Sequence, residues 1–344
     1  VCAEERDARL LRLRLLEELR ADVAFDHHVW VLTDPVTAVG SAPVAEVPCM
    51  SELPALIRAK YLTEVNRWTS LATGGLPAAR SLWEATGGAP ARSVVWRELL
   101  SRYAVGDVAS VVFRDGYGVW GFLDLWRRAD RTPFSADEAA HLAAVAAPVT
   151  AALRGCVAAT FARPPIAQAR DAGPAVVLLD DALSARSRTR AAATWLARLL
   201  PARGEREPVP AAIYNTAAQL VAAEQGVDPN PASARVHLVD GFWLTLRAAR
   251  LLSAGPERIA VSIEETSPLD RLEVFALSHG LTPRERDVLL GLGTGRDTRD
   301  LARRLHVSEN TVQDHLKSIF AKTSARHRHE LLGRALGASA ADAG

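Results

Sequence analysis

The stretch LTPRERDVLLGLGTGRDTRDLARRLHVSENTVQDHLKSIFAKTSARHRHELLGRAL, residues 281–336, decides how the chain is read. Its punctuation alone divides it into four short helices. Thr282 is a hydroxyl N-cap and Pro283 stands at the first helical position, where a missing N–H costs nothing; Glu285 falls at the third position and closes a capping box. That helix runs to Leu292, and Gly293 and Gly295 stop it. A second helix covers 298–305 and turns through His306-Val307 into Ser308, the cap of a third that reaches Lys322. A fourth begins near Arg326 and carries Leu331, Leu332 and Leu336. Helix, tight turn and hydroxyl-capped helix is the spacing of a helix-turn-helix.

Leu301, Leu305, Val307, Val312, Leu316, Ile319 and Phe320 recur at helical spacing and close a small core. The other face of the third helix presents Asn310, Thr311, Gln313, Asp314, Lys317 and Lys322, whose amide, hydroxyl and cationic groups suit base edges and phosphates. The offsets of LTPRE, the Gly-ended helix and LARRLHVSENTVQDHLKSIFAK resemble the LuxR-type (FixJ- and NarL-like) DNA-binding domain over more than fifty residues. The resemblance implies that Gln313, Asp314 and Lys317 face bases. It places Thr311, His315 and Lys322 nearer the backbone and lends phosphate contacts to Arg303 and Arg304. Two departures stand out. Asp314 puts a carboxylate where the family more often has a neutral side chain, which repels phosphate unless it accepts from a cytosine amino group. Gly295-Arg296-Asp297-Thr298 replaces the commoner opening of the second helix.

At 344 residues the chain has room for roughly two further domains, and 49% apolar content supports full cores. The net charge of +1 conceals an asymmetry: from Ser278 onward eleven Lys and Arg face eight Asp and Glu, a balance of +3 that leaves −2 for the rest. The basic surplus lies where DNA is expected. Cys2, Cys49 and Cys156 are isolated, with no CxxC pair and no His at ligand spacing, which points to a reducing compartment and to no metal or iron–sulfur site. No apolar run is read as approaching ~20 residues and no N-terminal targeting signal is visible, so a cytoplasmic, nucleoid-associated protein with no membrane partner is expected. The start at Val1 points to trimming or an alternative start.

Upstream, residues 4–20 read as a strong helix striped by Leu10, Leu13, Leu16 and Leu19, lying on the next domain or pairing in a dimer. Residues 25–32 read as a strand and 50–65 as helical; after a break at Gly74-Gly75 a short helix covers 93–100. The β-rich runs over 108–126 flank Asp115-Gly116, a hairpin turn signal. Ser135 and Glu138 form a capping box for a helix through Thr160, with Leu142, Val145, Val149 and Leu153 on one face and Pro148 placed to kink it. This order resembles a GAF domain over roughly 20–160, of the kind that precedes LuxR-type modules in actinobacterial regulators. Phe161 to Pro165 reads as a rigid linker. Beyond it come a strand at 175–180, helices at 189–200 and 211–223, paired strands around Asp240-Gly241 and a strand at 258–264, an order that resembles a PAS domain. The two hairpins look like one design used twice. Residues 267–280 read as a short connector, and 338–344 as a frayed tail.

The expected fold is multidomain α+β: a GAF-like sensor with its N-terminal helix (1–160), a PAS-like antiparallel-sheet domain (161–268) and an all-α LuxR-type helix-turn-helix (269–344). Asp180-Asp181 ends a strand as a receiver phosphoacceptor would, but the upstream acidic pair and the later Lys-bearing strand are missing. No Walker loop, Ser-His-Asp set or carboxylate pair is visible, so neither an ATPase half nor any other enzyme is expected, and no cofactor. His28, Trp30, Trp68 and Trp120 are the candidates for a sensor pocket, because such pockets are apolar with few polar groups. The expectation is a transcriptional regulator whose partners are double-stranded DNA, a second copy of itself, a small-molecule effector and RNA polymerase. The alternative is a regulator whose upstream domains form a protein-interaction and dimerisation scaffold without a ligand.

Overall fold

A computed structural model describes residues 1–2, 5–73, 75–162, 173–200, 209–239, 241–252 and 258–337. The chain opens with α1 (Ala8–Asp22), capped by Asp7, whose carboxylate accepts from the Arg9 and Leu10 amides. Its buried side is Leu11, Arg12, Leu15, Leu16 and Leu19, not the expected Leu10, Leu13, Leu16 and Leu19. A strict three-residue step drifts around a 3.6-residue helix. The four-residue step from Leu11 to Leu15 to Leu19 holds one side, and Leu10 is left 48% exposed.

Then follow β1 (His27–Thr33), β2 (Gly40–Glu46), α2 (Leu53–Leu62), α3 (Trp68–Ala72), β3 (Ala79–Ser81), α4 (Leu82–Ala85) and α5 (Val94–Glu98). β4 (Val105–Asp115), β5 (Gly118–Arg128) and α6 (Ala136–Ala159) complete this region. The five strands form one antiparallel sheet in the order β2-β1-β5-β4-β3. β2 has no counterpart in the sequence reading, because Pro43 argues against a strand; as an edge strand it tolerates the missing donor. The β4–β5 turn is also shifted by one residue. Asp115 pairs with Gly118, so the loop is Gly116-Tyr117, and Asp115 acts through its side chain, accepting from the Tyr117 amide (2.8 Å) and the Trp120 indole (3.0 Å).

α6 begins at the expected box: Ser135 Oγ accepts from the Glu138 amide (3.1 Å) and Glu138 Oε2 from the Ser135 amide (2.8 Å). Leu142, Val149 and Leu153 are fully buried. α6 is the one helix among the described residues that is long and apolar enough to cross a bilayer, a test that a core helix also passes, and this corrects the expectation that no such run exists. The sequence reading passed over it because Asp137, Glu138 and Arg154 punctuate the run.

The second sheet comprises β6 (Ala175–Leu179), β7 (Ala185–Arg188), β8 (Ser233–Val239), β9 (Phe242–Leu251) and β10 (Arg258–Glu265), accompanied by α7 (Arg190–Leu199) and α8 (Ala211–Glu224). Its order, β7-β6-β10-β9-β8, repeats that of the first sheet strand for strand. Asp180 accepts from the Ser184 amide (2.8 Å) and pairs with Arg186, a turn role between β6 and β7. Glu4, Gly74, the Arg163-Pro164-Pro165 part of the expected linker, Asp240 and the tail 338–344 lie outside the described residues.

Two compact units result. The first takes residues 1–153, 170–236 and 244–264; the second takes 154–169, 237–243 and everything from Glu265. Within the first unit α8 packs on α2 and β2. Polar groups tie the same regions together. Arg235 grips Asp34 with two guanidinium bonds of 2.7 and 2.8 Å, Arg67 pairs with Asp228 at 2.7 Å, and Thr37 Oγ1 donates to the Ser233 carbonyl at 2.6 Å. All four ionic side chains are at most 7% exposed.

The second unit adds α9 (Pro268–Ser278), α10 (Pro283–Gly293), α11 (Thr298–Leu305), α12 (Glu309–Thr323) and α13 (Arg328–Leu336). α9 replaces the expected connector: Ser267 caps it, Pro268 opens it, and Leu272, Val274 and Phe275 are buried. A Ser-Pro pair is as good a helix start as a turn, and burial decides between them. Phe161 and Trp243 join the core of these helices. Phe161 stacks on Trp243 (5.5 Å) and meets Phe275 edge-on (5.4 Å), while the Arg271 guanidinium lies 4.6 Å above the Phe161 ring and donates to the Gly241 carbonyl.

Candidate nucleic-acid interface and an upstream cavity

α10 is held at its start by the full capping box of Thr282 and Glu285. Glu285 does more than cap. Only 4% exposed, it also accepts from Ser318 Oγ (2.6 Å) and Lys322 Nζ (2.7 Å), both on α12. Burial alone would raise its carboxyl; the bonds from Lys322, Ser318 and Thr282 outweigh it and hold the pKa down to about 2. α12 is therefore bolted to α10 by one carboxylate. α11 is capped by Asp297, whose Oδ1 accepts from the Asp300 amide (2.7 Å), so one of the unusual residues of this opening serves as the cap. His306 then takes a left-handed conformation (φ 55) to turn the chain, and Ser308 caps α12 through the Thr311 amide (3.1 Å). Gly291 allows α10 and α11 to approach: a Cβ there would sit 2.2 Å from Leu301 Cδ2.

The faces of α12 separate as the periodicity requires. Val312, Leu316, Ile319 and Thr323 are buried; Asn310, Gln313, Asp314 and Lys317 are exposed, with Thr311 and His315 half-buried at the margin. Lys317 Nζ donates to Asp314 Oδ1 (3.0 Å), so the two charged residues expected to face bases form an exposed i,i+3 pair. Gln313 Nε2 lies 3.5 Å from Thr298 Oγ1, next to the start of α11. Arg303 and Arg304 are exposed, and Arg303 pairs with Asp300 one turn away. Lys322 is placed differently from the others: its ammonium is committed to Glu285 and to the Gly280 carbonyl (3.3 Å).

Residues 279–335 match the family described as bacterial regulatory proteins of the luxR family. A Mycobacterium bovis protein named as an HTH-type transcriptional regulator is 44% identical over 55 residues, covering 16% of this chain and 6% of that protein. The monoamine regulon transcriptional regulator of Klebsiella aerogenes is 41% identical over 54 residues, 16% of this chain and 24% of its own length. The C-terminal helices are a LuxR-family helix-turn-helix domain. The chain spans less than a quarter of the length of these curated relatives, and the match is confined to this domain. A crystal structure of Escherichia coli SdiA aligns over 98% of this chain and 93% of its own at 11% identity, with a TM-score of 0.28, too low to carry an argument.

Outside the LuxR-family domain, the first unit contains a cavity of about 70 Å³ walled by Val29, Val31, Leu56 and Ile57, with Lys60, Tyr61, Trp68, Asp124 and Trp126 around it and Ala211 and Asn215 of α8 closing one side. Of the four expected pocket residues only Trp68 lines it. Strand parity explains two of the absences. Val29 and Val31 of β1 point to the cavity, which turns His28 and Trp30 to the opposite face. There Trp30 stacks on Phe113 (5.1 Å) and lines a separate space of about 120 Å³ with Leu142 and Val149. His28 is buried with its pKa lowered, chiefly by that burial. Trp120 lines neither space and spends its indole N–H on Asp115.

The sequence reading missed Lys60 and Asp124, which form a buried pair 2.8 Å apart with side chains 9% and 2% exposed. Trp68 Nε1 (2.7 Å) and Ser110 Oγ (2.6 Å) donate to the other oxygen of Asp124, and Lys60 lies 4.4 Å over the Trp68 ring. The available signal was charge inside two apolar runs, Arg58 and Lys60 in LIRAKYL and Asp124 in VWGFLDLW. Among the described residues no cluster of three or more His, Cys, Asp or Glu is positioned to hold a metal ion.

Proposed function

We propose that this chain is a DNA-binding transcriptional regulator in which the LuxR-family domain reads double-stranded DNA and the two sheet domains control it. The observation that carries the reading is the division of α12: its apolar side is packed into the domain while Asn310, Gln313, Asp314 and Lys317 stand free on one face. In this reading Gln313, Asp314 and Lys317 face bases; Asn310, Thr311, His315, Arg303 and Arg304 serve the backbone. Lys322 joins the phosphate contacts only by leaving Glu285, so we assign it first to positioning α12.

One recognition helix makes few base contacts, so we propose a homodimer on two half-sites about 34 Å apart. The domain boundaries proposed are 1–160, 161–268 and 269–344. The identical strand order of the two sheets supports GAF-like and PAS-like sensors, and the cavity beside Lys60 favours a small-molecule effector over a ligand-free scaffold. Contact with RNA polymerase and a cytoplasmic, nucleoid-associated location belong to the same reading, which includes no catalytic step.

Genome-wide binding-site selection followed by titration of the recovered site tests it. Lys317→Ala should relax sequence preference at one position and weaken the specific site by ~1–3 kcal/mol, whereas Arg304→Ala should weaken all sequences alike and flatten the salt dependence. Unchanged binding in both variants defeats the assignment.

A further inference from the structure

We infer that the cavity beside Lys60 takes a small neutral molecule: an apolar body of a few heavy atoms bearing one hydrogen-bond-accepting oxygen, which Lys60 receives. This deepens the effector reading above and rests on it.

Asp124 is occupied on both oxygens, by Ser110 and Trp68 on one and by Lys60 on the other. Lys60 has three N–H groups and uses one on Asp124 while its charge lies over the Trp68 ring. Lys60 also lines two further spaces of about 10 Å³ each, so the residue stands where three spaces meet and its remaining donors are the ones an acceptor there would meet. The phenol of Tyr61 accepts from the Gly40 amide (3.0 Å) and the Asn215 amide donates to the Gly40 carbonyl (2.9 Å), so these two groups are directed to the backbone of β2.

Charge and size then select the ligand. Lys60 and Asp124 already sum to zero, so a buried anion would bring a charge without a partner, and a cation would face the ammonium. A neutral carbonyl, ether or hydroxyl oxygen satisfies the donor without either cost. The cavity of about 70 Å³ is roughly half of the ~150 Å³ that admits benzene in an apolar engineered site, which limits the enclosed body to about three or four heavy atoms. Ala211 and Asn215 form part of the wall, so an occupant touches α8, a helix of the second sheet domain, directly.

The test is ligand-observed NMR on the full chain with three probes of similar size: acetone, acetate and isopropylammonium. The ketone should bind at least tenfold tighter than either ion. Lys60→Met combined with Asp124→Asn removes both charges together, keeps the acceptor for Ser110 and Trp68, and should cost the ketone at least tenfold with the circular dichroism unchanged. Ile57→Phe, which grows into the cavity, is a second variant expected to abolish ketone binding. Equal or tighter binding of either ion, or no ketone binding to the parent protein, overturns the inference. Titrating the Ile57→Phe chain with DNA separates this from the broader reading. A threefold or larger shift with no ketone binding means that the ligand class alone is wrong; unchanged DNA affinity removes the sensory role as well.

Discussion

Replacing Glu285 by Gln should loosen α12 from α10 without altering the shape of the domain. The carboxyl is held at about 2 against an ordinary 4.5, so its charged form is favoured in the folded state by roughly 3 kcal/mol. Glutamine retains one oxygen for the Thr282 amide, its NH2 can donate to the Ser318 hydroxyl, and Lys322, whose side chain is 33% exposed, can regain water. The net loss is therefore smaller, about 2 kcal/mol, or roughly 30-fold in the opening equilibrium. Hydrogen exchange of the full chain at neutral pH, followed on peptides from α10 and α12, reads this directly. Protection there should fall about 30-fold while the two sheets are unaffected. A change below threefold, or an equal change in the sheets, refutes the role given to Glu285. Acid should reproduce the substitution. Because the folded pKa lies below the unfolded one, the contribution is complete above about pH 4.5 and disappears as pH falls toward 2.

Gly291→Ala would press a methyl group to 2.2 Å from Leu301 Cδ2, so the buried Leu301 side chain must change rotamer or α11 must shift; a loss of about 1–3 kcal/mol is expected, seen as lower exchange protection in α11 together with weaker DNA binding. Asp34→Asn keeps an oxygen for the backbone amides that Asp34 receives but leaves Arg235 buried without its carboxylate, and should destabilise the first unit by ~3–5 kcal/mol, lowering its calorimetric transition, while Asp34→Asn with Arg235→Met should recover most of that loss. Failure of the double variant to recover stability would show that the pair is not the reason for the loss.

The helix-turn-helix was legible in the sequence because every decision in it is local. Caps at Thr282 and Ser308, the stop at Gly293 and the four-residue apolar step each act within one or two turns, and the helices formed within one or two residues of the expected positions. The strong hairpin and the capping box of α6 were readable for the same reason. Elements that depend on distant partners were not. β2 and β7 are short edge strands whose sequences, GSAPVAE and ARSR, carry no alternation, and they exist because a central strand offers them a ladder. α9 required knowledge that Leu272 and Phe275 had a core to enter.

Sites divide along the same line. The amino-acid order by itself determined which residues of α12 share the exposed face, since 100° per residue leaves no choice once Val312, Leu316 and Ile319 are inside. It also determined the two sheet-bearing segments and the amphipathic helices. Only tertiary structure decided that Lys322 serves Glu285, that Phe161 and Trp243 complete a core that begins at Leu272, about 110 and about 30 residues downstream of them respectively, and that Lys60 meets Asp124 beside a cavity that α8 helps to wall. A charge or an aromatic ring has no direction in sequence; its partner is chosen by which strand face it occupies and which helix is packed above it, and those are properties of the folded chain alone.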